Sequence, residues 1–205
     1  MSRVSISCIV EGHGDVAAVP ILLRRMVSSI DQNTTLNLPF PIRVSRSKII
    51  KPGELERFVT LAAHKNNGPG GILILLDADD DCPALLAPQL LYRARTARSD
   101  IPIAVVLAKR EFESWFIASA ASLRGKHGLS DTLEIHPEPE NIRGAKEWLR
   151  QRMVGNSKYS ETIDQPALTR LFDLTSARQT SSFDKLFRDV ERILLELNQN
   201  TGTKS

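Results

Sequence analysis

Short apolar runs alternate along the N-terminal part of the chain with segments whose apolar positions recur every three or four residues. Residues 4–10 change from alternating to apolar positions before Gly12 and predict a strand. Residues 15–29 then show helical spacing, and Pro20 within them predicts either a kink or a later helix start. The same pattern predicts strands over residues 42–47, 72–76 and 103–107 and helices over residues 52–66, 83–96 (or 88–96) and 112–122.

This alternation of strand and helix predicts an α/β domain with a mainly parallel sheet and helices on both of its faces. The C-terminal part differs. A polar segment that contains Pro and Gly, residues 124–141, indicates a long loop, and helices are predicted over residues 142–153 and 182–197. We therefore expect an α/β domain over residues 1–122 and a loop and helical extension over residues 123–205, packed together as one compact unit.

Composition limits the classes of protein that fit this pattern. The chain has 205 residues, 41% of them hydrophobic, and no apolar run approaches the roughly 18 residues that a membrane helix needs. Two cysteines without a CxxC pair do not make a disulfide framework, so we expect a cytoplasmic protein with no membrane association. The net charge of +3 permits a polyanionic partner, and the basic runs at residues 43–51 and 93–98 are either phosphate contacts or solvated surfaces.

Acidic residues follow two of the predicted strands. Glu11 comes directly after the strand over residues 4–10, and Asp15 opens the helix that follows. Asp77 ends a later buried strand, and Asp79 faces the same side if the backbone stays extended. Because the carboxyl ends of parallel strands meet at one edge of a sheet, these four side chains are expected to converge there. The simpler interpretation makes Asp15 a helix cap and Asp77 a turn former.

Several carboxylates at one edge repel each other and stay ionised most easily with a cation between them. Oxygen ligands without a cluster of His or Cys favour Mg²⁺ or Mn²⁺ over zinc. Such an ion polarises a phosphoryl oxygen, activates water or steadies a leaving oxygen. Glu11 has a second candidate role as a general acid or base.

Two segments carry a specific family resemblance. The stretch VEGHGD at residues 10–15, followed by LLDADDD at residues 75–81, resembles the Toprim domain of topoisomerases, bacterial primases, recombination-repair proteins and overcoming-lysogenization-defect nucleases. This resemblance covers about residues 4–120 and implies a Rossmann-like fold. The whole chain is more closely similar to small stand-alone Toprim-like bacterial proteins of uncharacterised function, through KREFESWF at residues 109–116 and the segment KYSETIDQPALTRLFDL from residue 158. Bacterial relatives of this kind often occur with defence ATPases.

The resemblance implies roles for the acidic residues. It makes Glu11 the Toprim glutamate and makes Asp77 and Asp79 the metal-binding pair. Asp15 matches an additional acidic position of the nuclease branch. The implied metal is Mg²⁺ or Mn²⁺.

A third acidic motif of the nuclease branch is similar to the EFE stretch, with Glu113 or Glu111 as the ligand. On a helix the two side chains diverge by about 200°, so only one would reach the site, and we favour Glu113. Lys109, just before this motif, is a candidate for binding a phosphate or the transition-state charge, or is a surface lysine.

These features predict a Mg²⁺-dependent phosphodiesterase, a nuclease of the Toprim type, that acts on nucleic acid as one component of an anti-phage system. Hydrolysis by an activated water is favoured, because Tyr92 and Tyr159 do not lie in a topoisomerase cleavage module. Lys158, Tyr159 and Arg170 are candidate substrate contacts, or they only pack as part of a helix.

Two other functions compete with this one. The chain is alternatively a non-catalytic regulatory or assembly module that partners an ATPase. A phosphohydrolase of the haloacid-dehalogenase type is a third and weaker candidate, since DADD at residues 77–80 resembles its nucleophile motif. The choice among DNA, RNA and nucleotide as the substrate stays open, and so does the oligomeric state, a homodimer included.

Overall fold

The computed structural model of the chain describes residues 2–66, 70–155 and 158–202. Within these ranges one five-stranded sheet organises the molecule. Its strands are β1 (Ser2–Val10), β2 (Thr34–Asn37), β3 (Ile42–Arg43), β4 (Gly70–Asp77) and β5 (Ile103–Ala108). The order is β2-β1-β4-β5, β3 pairs with the carboxyl end of β1, and every pair is parallel. The predicted α/β class with a parallel sheet is confirmed.

Helices connect the strands and continue the chain beyond the sheet. They are α1 (His13–Ile30), α2 (Arg46–Ile49), α3 (Glu54–Lys65), α4 (Pro83–Ala97), α5 (Ser114–Ala118), α6 (Ala120–Leu123), α7 (Ala145–Arg150), α8 (Glu161–Leu171), α9 (Leu174–Ala177) and α10 (Ser181–Gly202). A 3₁₀ turn lies at Pro139–Asn141. In the part of the chain that the structure describes, no helix is both long and apolar enough to cross a bilayer.

The structure corrects several of the predicted elements. The strand expected over residues 42–47 spans only two residues, because the chain turns into α2 directly after it. The helix expected over residues 112–122 is divided at Ser119 into α5 and α6. The sequence pattern does not predict β2, and it gives a helix at α8 only as one of two alternatives for the segment from residue 158. β2 has only four residues and is not fully buried, and α8 is largely polar, with Pro166 inside it.

Both faces of the sheet are covered, and alternate strand residues belong to two different cores. On β4, Leu73 and Leu75 lie in the core with α1, α5 and α10. Ile72, Ile74 and Leu76 lie in the core with α3 and α4. This two-sided burial explains why the strand is a continuous apolar run, and it places the end of β4 at a defined edge of the fold.

The C-terminal helices share the first of these cores. Phe183 packs edge to face against Trp115 and Phe172, and Phe172 packs likewise against Phe116, with ring centroids 5.1 to 5.7 Å apart. These contacts join α5 to α10 and to the segment after α8. Because Glu113 directly precedes α5, the aromatic packing also fixes the position of that carboxylate.

A close contact between α1 and α8 depends on Gly14. A Cβ atom there would lie 1.9 Å from Gln165 Oε1 and 2.6 Å from the Glu161 carbonyl oxygen. Gly14→Ala is therefore expected to lower the free energy of unfolding by about 2 kcal/mol, although Ala favours a helix over Gly. Chemical denaturation measures this loss. Gly14→Ala/Gln165→Ala should not restore the stability, since the backbone clash remains, and an unchanged Gly14→Ala variant would contradict the close contact.

Candidate active site: a carboxylate and lysine cluster at the carboxyl edge of the sheet

Three carboxylates lie at the carboxyl end of the parallel strands. Glu11 follows β1, Asp77 ends β4, and Glu113 lies in the turn between β5 and α5. Asp15, in the first turn of α1, adds a fourth. The negative charge of Asp15 raises the pKa of both Glu11 and Asp77, so the four side chains form one electrostatic group. We refer to these four residues as the acidic cluster.

Asp77 is tied to both neighbouring segments of this edge. Its Oδ1 accepts a hydrogen bond from the Phe112 backbone N–H at 2.9 Å, and its Oδ2 lies 3.7 Å from Lys146 Nζ. The side chain is 19% exposed. Burial raises the pKa of Asp77 well above its usual range, and the charge of Glu113 raises it further, while Lys146 opposes the shift.

Glu113 is fully buried and only half satisfied. Its Oε1 accepts a hydrogen bond from the Tyr159 hydroxyl at 2.8 Å. Among the described residues, its Oε2 has no hydrogen-bond partner, and Lys146 Nζ lies 4.0 Å away. Burial raises the pKa of Glu113 to about 7 against the opposing effects of Lys146 and Tyr159. A buried carboxylate oxygen without a partner is costly, which marks this position as a candidate ligand site.

Lys146 supplies the cation of the cluster in this structure. Its Nζ lies 3.0 Å from Glu161 Oε1, in addition to its ion pairs with Asp77 and Glu113. Burial lowers the pKa of Lys146, but the three carboxylates outweigh it and hold that pKa above the ordinary lysine value. The sequence predicts only a helix around Lys146, and no spacing rule connects it to residues more than thirty positions away.

Asp15 has both oxygens occupied by protein groups. Its Oδ2 accepts a hydrogen bond from the Gly12 N–H at 2.8 Å, which closes the start of α1. Its Oδ1 accepts one from Gln165 Nε2 of α8 at 2.7 Å. Asp15 therefore caps its own helix, as in the simpler interpretation, and also joins α1 to α8 at the site.

Glu11 resembles Glu113 in being incompletely satisfied. Its Oε1 accepts a hydrogen bond from the Arg46 backbone N–H at 3.2 Å. In the described ranges its Oε2 is a buried atom without a hydrogen-bond partner. Burial raises the pKa of Glu11, and the charges of Asp79 and Asp15 add to the effect. The carboxyl ends of β1 and β5 thus each present one unsatisfied carboxylate oxygen.

Asp79 does not share the environment of Asp77. Its φ of 49° lies in the left-handed region, so the extended backbone on which the sequence argument depended is absent there. The Asp79 side chain is 64% exposed, and its Oδ2 lies 3.0 Å from Arg46 Nη1. Arg46 also pairs with Asp81 and donates to the Ala78 carbonyl. Asp79 and Asp81, in the loop after β4, therefore pair with Arg46 at the rim of the site.

The other two candidates of this segment, Glu111 within the EFE stretch and Lys109 before it, have other surroundings. Glu111 accepts hydrogen bonds from the backbone N–H groups of Ala145 and Lys146, both at 3.2 Å, and so fixes the start of α7. It thereby positions Lys146, while Glu113 is the glutamate within the cluster. Lys109 lines a groove between α4 and α10. Within the described residues, no hydrogen bond or ion pair joins its side chain to the acidic cluster.

Arginines surround the exposed side of the site. Arg110 Nη1 donates to the Asp79 carbonyl at 3.0 Å and pairs with Asp80, and Arg143 Nη2 lies 2.9 Å from Asp80. The basic run at residues 43–51 contributes Arg46, whereas Arg93 of the 93–98 run is engaged by Glu56 and by the carbonyls of Ile50 and Lys51. Cationic groups near the cluster thus come mainly from Arg46, Arg110 and Arg143.

Comparison with known proteins gives one family. A sequence profile described as "Domain of unknown function (DUF4276)" matches residues 10–191. The chain belongs to the DUF4276 family. No curated protein and no solved structure matches the sequence. The matched region of this DUF4276 chain contains every member of the acidic cluster, together with Lys146 and Tyr159.

Sequence reasoning missed three residues of the candidate site in this DUF4276 chain. Lys146 is the first, and Gln165, which holds Asp15, is the second. Tyr159 is the third. It was predicted as a substrate contact, but its hydroxyl donates a hydrogen bond to Glu113. The only available signal was the polar segment from residue 158, which contains two of them.

Proposed function

We propose that this chain is a divalent-cation-dependent phosphodiesterase of the Toprim type that acts on nucleic acid. The observation that carries the proposal is a pair of buried carboxylate oxygens, Glu11 Oε2 and Glu113 Oε2, without hydrogen-bond partners in the described ranges. They flank Asp77 at the edge where parallel α/β sheets place their functional sites. Unsatisfied buried carboxylates are expected where a ligand completes the site.

The donor atoms suit a hard cation. Glu11, Asp77 and Glu113 would hold Mg²⁺ or Mn²⁺ through oxygen alone, without His or Cys. In the part of the chain described, however, no three His, Cys, Asp or Glu side chains are already arranged to hold a metal ion. The Lys146 ammonium pairs with two of the proposed ligands. Metal binding therefore requires that Lys146 release Asp77 and Glu113.

Each group has a defined part in the proposed hydrolysis. A bound divalent cation would polarise a phosphoryl oxygen and lower the pKa of water. Glu11, with its raised pKa, is placed to exchange a proton. Lys146, once released, stays paired with Glu161 and offers positive charge to the phosphoryl group. Asp15 and Tyr159 hold the start of α1 and Glu113 in position.

Nucleic acid is the proposed substrate because cations line the approach. Arg110 and Arg143 border a shallow pocket together with Asp79 and Asp80. Their partner Asp80 is 71% exposed, so a phosphate can replace it at little cost. Arginine contacts of this kind hold the backbone without reading its sequence. The resemblance to the Toprim nucleases supports the same substrate class, and the link to defence ATPases supports a role in an anti-phage system.

The test of the function combines metal binding with cleavage. Calorimetry with Mg²⁺ and Mn²⁺ at pH 8 should show binding to the folded chain. Single-stranded DNA, duplex DNA and RNA are then incubated with the protein, with either metal and with EDTA. Cleavage that needs the metal supports the proposal. The absence of both metal binding and cleavage would contradict the proposed activity of the isolated protein.

The competition between Lys146 and the metal gives a separate prediction. Lys146→Met removes the ammonium while keeping much of the side-chain volume, so Mn²⁺ should bind at least about tenfold more tightly at pH 8. Calorimetry measures the change. Lys126→Met, at an exposed position, serves as the matched control and should bind like the wild type. Weaker or equal Mn²⁺ binding by Lys146→Met would show that the ammonium does not occupy the cation position.

A second function has one observation in its favour. Lys146 already balances part of the charge of the acidic cluster, as expected if the cluster only stabilises the fold. In that case the chain is a non-catalytic regulatory or assembly module that binds an ATPase. A stable complex with such an ATPase, without metal binding by either the free or the bound chain, would favour this function over hydrolysis.

A further inference from the structure

A groove lies between α4 and the start of α10. It has a volume of about 320 Å³ and extends to the carboxyl end of β5. Its α4 wall consists of Pro83, Ala84, Ala87, Pro88 and Leu91, which recur at the three- and four-residue spacing of one helix face. The side chains of Ala84 and Ala87 are too short to fill the space between the two helices. The α4 sequence therefore produces both the groove and its apolar wall.

The polar side chains on the α10 side of the groove are already engaged by the protein. Lys185 pairs with Asp189. Arg188, one turn further along the helix, pairs with Asp184. The Ser181 hydroxyl donates a hydrogen bond to a buried glutamate. These two cations are therefore balanced within α10 and leave no free charge on that wall.

Lys109 is the remaining cation of the groove, and its charge is not balanced. It directly follows β5 and is half-buried at the groove. Among the described residues, no hydrogen bond or ion pair involves its ammonium group. An unpaired positive charge beside apolar surface attracts an anion more strongly than one in open solvent. The groove thus combines one apolar wall with one free cation.

We propose that this groove binds a small amphipathic carboxylate, with its apolar body against α4 and its carboxylate beside Lys109. Ligand pockets are mainly apolar and carry a few polar groups that fix the orientation of the ligand. A volume of about 320 Å³ lies at the lower end of their size range, which suits a small molecule rather than a helix or strand of another protein. The proposal is independent of the proposed catalytic function, because none of the described residues that line the groove belongs to the acidic cluster.

Three ligands that share one alkyl chain test the two parts of the proposal separately. Calorimetry of the full-length chain with octanoate, octanol and octylamine compares a negative, a neutral and a positive head group. Octanoate should bind at least about fivefold more tightly than octanol, because only its head group pairs with Lys109. Octylamine should bind most weakly, because its ammonium group repels that of Lys109.

Lys109→Met tests the contribution of the charge. Methionine keeps much of the apolar stem and removes the ammonium group, so octanoate should bind at least about fivefold more weakly. Octanol should bind as it does to the wild type. Lys126→Met makes the same change at an exposed position outside the groove and should leave the binding of both ligands unchanged.

Ala84→Trp tests the contribution of the groove itself. The indole ring should fill the space beside α4 and weaken the binding of octanoate and octanol alike, by at least about tenfold. Gln89→Trp places the same ring at an exposed α4 position outside the groove and should bind both ligands normally. Circular dichroism and thermal melting check that both variants are folded.

Four results would overturn the proposal. The first is that octanoate does not bind to the wild type, and the second is that it binds no more tightly than octylamine. The third is that either Lys109→Met or Ala84→Trp, each folded, binds octanoate as tightly as the wild type does. The fourth is a dimer in ultracentrifugation that Ala84→Trp dissociates, because a second copy of the chain would then cover the groove.

Discussion

Asp77→Asn will abolish the divalent-cation-dependent cleavage of nucleic acid proposed for this chain, with a rate at least about 1,000-fold lower. Asparagine keeps an oxygen that accepts the Phe112 N–H, so the turn after β5 should persist. It removes the negative charge of Asp77, which repels the Glu113 carboxylate and pairs with the Lys146 ammonium. The expected loss is therefore one of metal binding and chemistry rather than of folding.

The measurements that check this loss are cleavage rates at saturating Mn²⁺, Mn²⁺ calorimetry and circular dichroism. Asp80→Asn is the matched control, because Asp80 lies three residues away but is exposed and pairs only with Arg110 and Arg143 among the described residues. It should retain cleavage. Wild-type activity in Asp77→Asn would remove the central element of the proposed mechanism.

The parallel sheet was predictable from the sequence because three of its strands are buried and mainly apolar. β4 and β5 are continuous apolar runs that follow turn signals, and β1 changes from alternating to apolar positions before Gly12. β2 escaped prediction because a short strand at the sheet edge is only half buried and lacks a clear period. α8 was only one of two alternatives for its segment, because its burial comes from contact with α1, which no local pattern encodes.

The residues of the candidate site also differ in how they could be predicted. Glu11 and Asp77 lie at the carboxyl ends of strands, so the parallel topology predicts that they share an edge, whereas Glu113 was implied only by the resemblance to the Toprim nucleases. Lys146 lies in α7, which follows the long loop. Its position depends on Glu111, which accepts hydrogen bonds from the backbone at the start of that helix. Asp79 was expected to lie beside Asp77, but its backbone is in the left-handed region. Asp tolerates this conformation, and the sequence pattern does not predict it.

Burial of the acidic cluster lowers the stability of the fold, while the same burial serves the proposed function. Glu113 and Asp77 are held in surroundings that disfavour their charged forms, and Lys146 offsets this cost only in part. Such an arrangement is expected at a functional site, where neutral replacements often stabilise the fold. A cluster that served only the fold would lose stability when one carboxylate was neutralised. Whether neutralising one carboxylate raises or lowers the free energy of unfolding therefore distinguishes the two proposed functions.

Glu113→Gln is expected to raise the free energy of unfolding at pH 8 by up to about 3 kcal/mol and to eliminate Mn²⁺ binding. The pKa of Glu113 is about 7 in the folded chain against an ordinary value of 4.5. Between those two pH values the folded state holds a proton that the unfolded state has released. Wild-type stability therefore falls as pH rises through this window, and the glutamine variant, which has no such proton, should lose less.

Urea denaturation from pH 3.5 to pH 8 measures both curves, which should converge at the acid end, where Glu113 is mainly protonated in both states. Asp77 also has a raised pKa, so the variant retains part of the decline. Glu140→Gln is the control, because Glu140 accepts hydrogen bonds from Ser181 and Ser182 and its neutralisation should destabilise the chain. A Glu113→Gln variant less stable than wild type at pH 8 would identify the cluster as a stabilising ion-pair network and favour the non-catalytic module.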